Sequence, residues 1–303
     1  MDPFLSKLSQ SHIQAITSLE MIHDVNVSVH VKRDDLIDDV ISGNKLFKLY
    51  YHLKNFAENK HKTLITFGGA YSNHLHATAF AGRQLGIQTV GVIRAEPHEL
   101  ETLTPTLQDC KNWGMTLIGV SRSEYCLKQD SQIIQQRVQD FDRPYWIPEG
   151  GAGELGVKGA QLILKGVEQA QYDVIVMACG TGTTLAGVIR ASAAHIKVIG
   201  VPVLKGANWM FKEVEQYLEP AMTNWDLQLD YHFSGYAKWN DELLGFINDV
   251  QAQSNLPLDP VYTAKAFYAL VDLIKQGKIE NTARVLFIHT GGLQGARNYA
   301  QNK

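Results

Sequence analysis

From Lys62 onward the chain alternates short, β-branched apolar runs with stretches whose apolar residues recur every three or four positions. "TLITFGG" gives way to "NHLHATAFAGRQLG", "QTVGVIRAE" to "TPTLQDCKNWG", and "TLIGV" follows. Strand-sized runs alternating with helix-sized ones predict βα units and a parallel sheet covered by helices. After Pro148 the glycine-dense stretch "EGGAGELGVKGA" interrupts the pattern, and a second series begins with "DVIVMAC", "GTGTTLAGVIRASAA", "KVIGVPVL" and "MFKEVEQYLEP". The last third adds "ELLGFINDVQAQ", a helix over "AKAFYALVDLIKQG" and a closing strand "RVLFIHT". Upstream, Leu46, Leu49, Tyr50 and Leu53 recur at roughly helical spacing behind Gly43-Asn44. This predicts a helix starting there, with Lys45 and Lys48 in its first turns and Lys48 solvated.

Two α/β series joined near Gly150 place ligand chemistry at the strand-to-helix turns, because open parallel sheets bind ligands at the carboxyl ends of their strands. Three turns stand out: "FGGAYSNHLH", "ACGTGTTLAG" and "IHTGGLQG". In the second, Gly180 and Gly182 let backbone amides point at one spot, and Thr181, Thr183 and Thr184 add hydroxyls. The helix that follows favours an anion, so the turn reads as a phosphate cup, with a purely structural glycine-threonine turn as the alternative. It lacks the Lys-Ser/Thr of a Walker loop, and its glycines fall outside the dinucleotide spacing. In the first turn, Ser72, Asn73 and His74 gather at a helix start where a carboxylate would be stabilised. There the alternative is a plain N-cap by Ser72 or Asn73. "LDPVYTAKAF" sets Tyr262 and Thr263 at a turn-to-helix junction, where Thr263 suits a cap.

Composition narrows the partners. At 303 residues, 45% hydrophobic and 19% charged, the chain has room for two ordinary domains with buried cores. A formal net charge of -3 supplies no basic field for nucleic acid or an anionic membrane, so small molecules are the expected partners. "MDPFLSKLSQ" lacks the features of a secretory signal, and no run approaches the apolar length of a membrane span, so a cytosolic location is expected. Cys110, Cys126 and Cys179 are far apart and form no C-x-x-C pair. Neither a disulfide framework nor a metal site is expected, and the three read as buried or half-buried thiols.

Taken together, "SGNKLFK", "FGGAYSNHLH", "PEGG", "ACGTGTTLAG", "LDPVYTAK" and "HTGG", in this order and at these separations, resemble the pyridoxal-phosphate enzymes of fold type II. The closest group joins D-cysteine desulfhydrase and 1-aminocyclopropane-1-carboxylate (ACC) deaminase, and the resemblance runs from about Val31 to Gly292. It implies two open, twisted parallel-sheet domains of the tryptophan synthase β-subunit-like type with pyridoxal 5'-phosphate in the cleft between them. Residues 1–46 and 148–303 would form the large cofactor-binding domain and 47–147 the small one. By the same resemblance Lys45 holds the cofactor as a Schiff base, Asn73 bonds its phenolic oxygen, and Gly180, Thr181, Gly182, Thr183 and Thr184 hold its phosphate. Ser72, Asn73 and His74 receive the substrate carboxylate, and in the deaminase branch the serine at the Ser72 position is treated as a nucleophile. Tyr236 and Tyr262 match active-site tyrosines, and Thr263 faces the pyridine nitrogen. A small amino-acid substrate and a homodimer are implied as well.

The chemistry agrees with these groups. The cofactor supplies an electron sink, and the protein supplies attachment, orientation and proton transfer. Lys45, released as a free amine beside the α-carbon, would be anchor and base in turn. The deaminase branch places a glutamate beside the tyrosine, where this chain has Thr263. A neutral hydroxyl leaves the electron sink weaker, which favours elimination of a good leaving group such as thiolate over opening a cyclopropane ring. The expected reaction is therefore D-cysteine desulfhydrase-like β-elimination, with ACC deamination as the alternative. A nicotinamide-dependent oxidoreductase is more distant, because the strand "KVIGVPVL" ends without the acidic residue that would hold a ribose. A non-catalytic pyridoxal-phosphate-binding protein is a third class.

Overall fold

The computed structural model describes residues 7–9 and 12–294. Strands β1 (His12–Ile16) and β2 (Ser28–Arg33) are followed by helix α1 (Asn44–Glu58), β3 (Thr63–Gly68), α2 (Asn73–Leu85), β4 (Gln88–Arg94) and α3 (Pro105–Asn112). Next come β5 (Thr116–Val120), the short α4 (Arg122–Leu127) and α5 (Gln132–Val138), β6 (Pro144–Ile147) and α6 (Glu154–Gln161). The second series holds β7 (Val174–Cys179), α7 (Thr183–Ala191), β8 (Lys197–Pro202), α8 (Met210–Glu215) and β9 (Trp225–Leu227). Helices α9 (Asp241–Ser254) and α10 (Thr263–Lys275) and strand β10 (Arg284–Ile288) close the fold. No helix among the described residues is long and apolar enough to cross a membrane.

Among the described residues the chain forms two compact units, 48–156 and those up to 47 with 157–293, and it passes from one to the other inside α1 and α6. In the smaller unit β5-β4-β3-β6 form a sheet parallel throughout. Side chains alternate across it as the period of two demands. Ile65, Phe67, Val90, Val92, Ile118 and Val120 pack on one face with Tyr125 and Ile134. On the other, Leu75 and Ala79 of α2 meet Ile93, Leu107, Cys110 and Met115.

In the larger unit the order is β1-β2-β10-β7-β8-β9, parallel except for the β1–β2 pair. Val29, Val31, Val174, Val176, Val285 and Phe287 share a face covered by α10, whose Ala266, Phe267 and Leu270 are fully buried. These strands read as continuous apolar runs because helices cover a parallel sheet on both sides.

At the end of β2 the core becomes ionic. The fully buried Lys32 pairs with Asp34. Arg33 forks onto Asp35, Nε to Oδ1 at 2.9 Å and Nη2 to Oδ2 at 2.7 Å. His289, just after β10, puts Nδ1 3.4 Å from Asp35 and Nε2 2.7 Å from the Pro257 carbonyl. Removing one member of a buried pair strands the other charge in a medium that cannot solvate it. Asp35→Ala should therefore cost about 3–5 kcal/mol, read as a lowered urea midpoint. A loss under about 1 kcal/mol, the range of an exposed pair, would contradict the network as described.

Candidate functional site

Lys45 is the second residue of α1, and its turn is shaped by the far end of the chain. Gly43 lies at φ +66°, where a Cβ would sit 2.0 Å from the Thr290 carbonyl oxygen. Gly291, at φ +75°, is pressed from the other side, where a Cβ would come within 3.0 Å of Gly43 Cα. The Gly43 amide donates to Asp34 O at 2.8 Å and the Asn44 amide to Thr290 O at 3.2 Å. "SGNK" and "HTGG" are thus two sides of one backbone contact. Asn44 Nδ2 donates to Thr184 Oγ1 at 2.9 Å, and Asn44 Oδ1 accepts from Lys45 Nζ at 2.9 Å, which ties the lysine to the glycine-threonine turn. Burial pushes the Lys45 amine down to about 8, with the Asp259 carboxylate pulling the other way.

Residues 180–184 join β7 to α7. Gly182, at φ +79°, occupies the N-cap, Thr183 and Thr184 are buried, and Thr181 is exposed with its Oγ1 3.2 Å from that of Thr183. A Cβ on Gly180 would lie 3.3 Å from Tyr262 Cε1, so the tyrosine ring rests directly on bare backbone. The first amides of α7 have no intrahelical acceptors, and with the helix dipole they suit a phosphate. The Tyr262 hydroxyl is 3.4 Å from that of the exposed Tyr236, with the rings edge-on at 6.0 Å and 74°.

The start of α10 corrects the expectation of a threonine cap. Asp259 does the capping: Oδ1 accepts from the Val261 and Tyr262 amides and Oδ2 from the Thr263 amide and hydroxyl, each at 2.9 Å. The Asp259 amide donates to Thr263 Oγ1, also at 2.9 Å. Thr263 is fully buried and its hydroxyl hydrogen is committed to Asp259. An aspartate before Pro-Val-Tyr-Thr is a capping signal legible in the sequence.

Ser72, Asn73 and His74 lie in the smaller unit. Ser72 is the N-cap of α2, its Oγ accepting from the Leu75 amide at 3.3 Å. Asn73 is half-buried, and its Oδ1 is shut off from solvent with no partner among the described residues. His74 departs from its neighbours: it is buried, with Nε2 2.8 Å from Thr66 Oγ1, and Thr66 gives its own hydrogen to Ile147 O. His74 is thereby anchored in the sheet instead of being presented beside Ser72. Lys48 also departs from the expectation of a solvated side chain, being only 2% exposed. Its Cβ and His74 Cε1 each lie 3.4 Å from where a Gly151 Cβ would be. Burial, with the Lys48 charge adding to it, pushes the nearby His52 down to about 4. Cys110 and Cys179 are buried, whereas Cys126 is exposed.

These groups fit pyridoxal phosphate. In the larger unit, a left-handed glycine turn and helix amides suit its phosphate, and an amine of lowered proton affinity suits its aldehyde. A family model described as "Pyridoxal-phosphate dependent enzyme" matches residues 10–291. The chain belongs to that family of pyridoxal-phosphate dependent enzymes. Its relatives include the "Putative 1-aminocyclopropane-1-carboxylate deaminase" of Pyrococcus abyssi, 33% identical over 92% of this chain and 88% of the relative. The mitochondrial "Bifunctional D-cysteine desulfhydrase/1-aminocyclopropane-1-carboxylate deaminase" of Arabidopsis thaliana is 30% identical over 88% of this chain and 72% of the relative. A crystal structure described as an ACC deaminase homologue superposes with a TM-score of 0.81 at 28% identity, covering 100% of this chain and 98% of the other.

Gly43→Ala should displace the Lys45 turn, because the left-handed backbone and the Thr290 oxygen both oppose a methyl group. An incompatible positive φ alone costs about 1–3 kcal/mol. The expected outcome is a melting temperature lowered by several degrees together with weaker cofactor retention, measured by thermal unfolding and by visible absorbance after gel filtration. Wild-type behaviour in both would show that the contact does not set the turn.

Proposed function

We propose that the chain catalyses D-cysteine desulfhydrase-like β-elimination, in which D-cysteine and water give pyruvate, ammonia and hydrogen sulfide. The observation that carries this reading is Thr263, a neutral group whose hydroxyl hydrogen is already given to Asp259. Asp259 is itself engaged by four donors, so its charge is spent within the chain. When bound, the cofactor supplies an electron sink at the substrate's α-carbon. Lys45 Nζ attaches the cofactor and then takes the α-proton. The amides at residues 180–184 hold the phosphate. Ser72 and Asn73, at the start of α2, orient the substrate carboxylate, and His74 supports them from within through Thr66. Tyr262 and Tyr236 hold a proton between their hydroxyls for the departing sulfur.

A second reading, opening of ACC with water to 2-oxobutanoate and ammonia, draws its support from the name of the Pyrococcus abyssi relative. A homodimer in the cytosol, with residues 1–46 and 148–303 as the cofactor-binding domain, completes the proposal; the net charge of -3 fits a partner that is neither nucleic acid nor membrane.

Sulfide and pyruvate from D-cysteine, assayed beside 2-oxobutanoate from ACC, separate the two readings. Activity on ACC alone would overturn the desulfhydrase assignment. Lys45→Ala should abolish both turnover and the visible band of the bound cofactor, while Lys48→Met, buried elsewhere, keeps that band at some loss of stability. The reverse pattern would mean that Lys48 is the anchor.

The proton affinity of Lys45 gives a pH prediction. An amine attacks an aldehyde only when neutral, and at pH 7.4 a lysine of pKa about 10.4 is neutral in roughly one molecule per thousand, against about a fifth at pKa 8. Cofactor uptake by the cofactor-free chain should therefore accelerate as pH rises, with a midpoint near 8. A midpoint near 10 would place Lys45 in ordinary solvent.

A further inference from the structure

The segment "HFSGYAK", His232 to Lys238, is bent in a way its sequence does not explain. Phe233, Ser234 and Ala237 all take positive φ, at 49°, 69° and 52°, alongside Gly235 at 122°. Side-chain-bearing residues in this region are strained, so something outside the loop must hold it. Tyr236 cannot do so, because its ring is 44% exposed.

What holds the loop is one stripe of α10 and its cap. Tyr262, Lys265, Tyr268 and Asp272 follow at spacings of three, three and four and so share a helix face. Asp272 accepts from the Tyr231 hydroxyl at 2.7 Å. Tyr268 meets the edge of Phe233 at 5.1 Å. Lys265 Nζ donates to the carbonyls of His232 at 2.9 Å and Gly235 at 2.8 Å, which bracket the bend. Tyr262 reaches the Tyr236 hydroxyl at the end of the stripe.

Lys265 is fully buried. Burial pushes its amine down to about 8 despite the Asp259 charge, the signature of a cation in poor surroundings. An apolar side chain would fill the same volume without that penalty. The ammonium is needed for its two carbonyls, and the second belongs to the residue preceding Tyr236.

We propose that Lys265 is a positioning residue: by clamping the His232 and Gly235 carbonyls it sets the direction in which Tyr236 leaves the loop and brings its hydroxyl to that of Tyr262. This rests on the reading of Tyr236 and Tyr262 as parts of the site, and one arm of the test does not depend on that reading.

The variants are Lys265→Met, which keeps the bulk and loses both donors, and the milder Lys265→Gln. The substrate-independent arm is amide hydrogen exchange of Gly235 and Lys238, which bond to His232 O and Gly235 O at 2.9 and 3.2 Å. Their exchange should rise at least about tenfold in Lys265→Met, and by less in Lys265→Gln, while amides of β7 and β8 stay protected. The second arm is the turnover of D-cysteine by the holoenzyme. Lys265→Met should lower kcat on the order of ten- to a hundredfold, the effect of a misplaced group. In a Tyr236→Phe background the same substitution should add little, because the hydroxyl it positions is already gone.

Unchanged exchange at Gly235 and Lys238 overturns the clamp. If both variants lose protection in β7 and β8 as fast as in the loop, Lys265 is a general folding residue and the proposal falls. Full additivity with Tyr236→Phe, with loop exchange raised, overturns the link to Tyr236. Absence of D-cysteine turnover in the wild type refutes the proposed reaction while leaving the exchange arm to decide the clamp.

Discussion

The approach of Gly43 to Thr290 and Gly291 is the constraint on which the start of α1 depends. Two stretches of backbone lie so close that a methyl group on Gly43 has no space and one on Gly291 would be tightly crowded, both at positive φ. This contact fixes where α1 begins, and with it the positions of Asn44 and Lys45. Asn44 then passes the registration to Thr184 through one hydrogen bond. A lysine two residues beyond a glycine is common; one whose turn is set by backbone near the other end of the chain is not.

Four lysines, three of them buried and Lys45 half-buried, show how differently a cation can be accommodated. Lys32 has the Asp34 carboxylate beside it. Lys265 has two backbone carbonyls. Lys48 packs beside Gly151 and weighs on the titration of His52. Among the described residues Lys45 Nζ has the Asn44 amide oxygen as its hydrogen-bond partner, with the Asp259 carboxylate pulling from further off. Burial nevertheless pushes Lys45 and Lys265 down alike, to about 8, because in both it opposes the charged form more than Asp259 supports it.

Much of this was legible in the chain. The βα alternation marked β3, α2, β4, α3, β5, β7, α7, β8, α10 and β10 because parallel strands buried on both faces must be apolar throughout. The glycine-threonine turn and the capping role of Ser72 followed from local rules on φ and helix ends. What escaped is non-local. Nothing within "KLFKLYY" tells Lys45 from Lys48; the second is buried, with Gly151, a hundred residues on, among what packs beside it. His74 turns inward because Thr66 and Ile147 wait for it on neighbouring strands. The Arg33–Asp35–His289 network joins segments whose nearness depends on β10 lying beside β2.

The place of β10 between β2 and β7 also sets a timetable for biosynthesis. Chains emerge from the ribosome amino end first and domains fold as units, yet β2 and β7 have no common neighbour until residues 284–288 have been made. Contacts of such long sequence separation form slowly, since a large loop must close before they reward the chain. The lysine made among the first fifty residues therefore waits for almost the whole of translation before its seat exists. A nascent chain stalled short of residue 284 would carry Lys45 without the Thr290–Gly291 turn that shapes its surroundings.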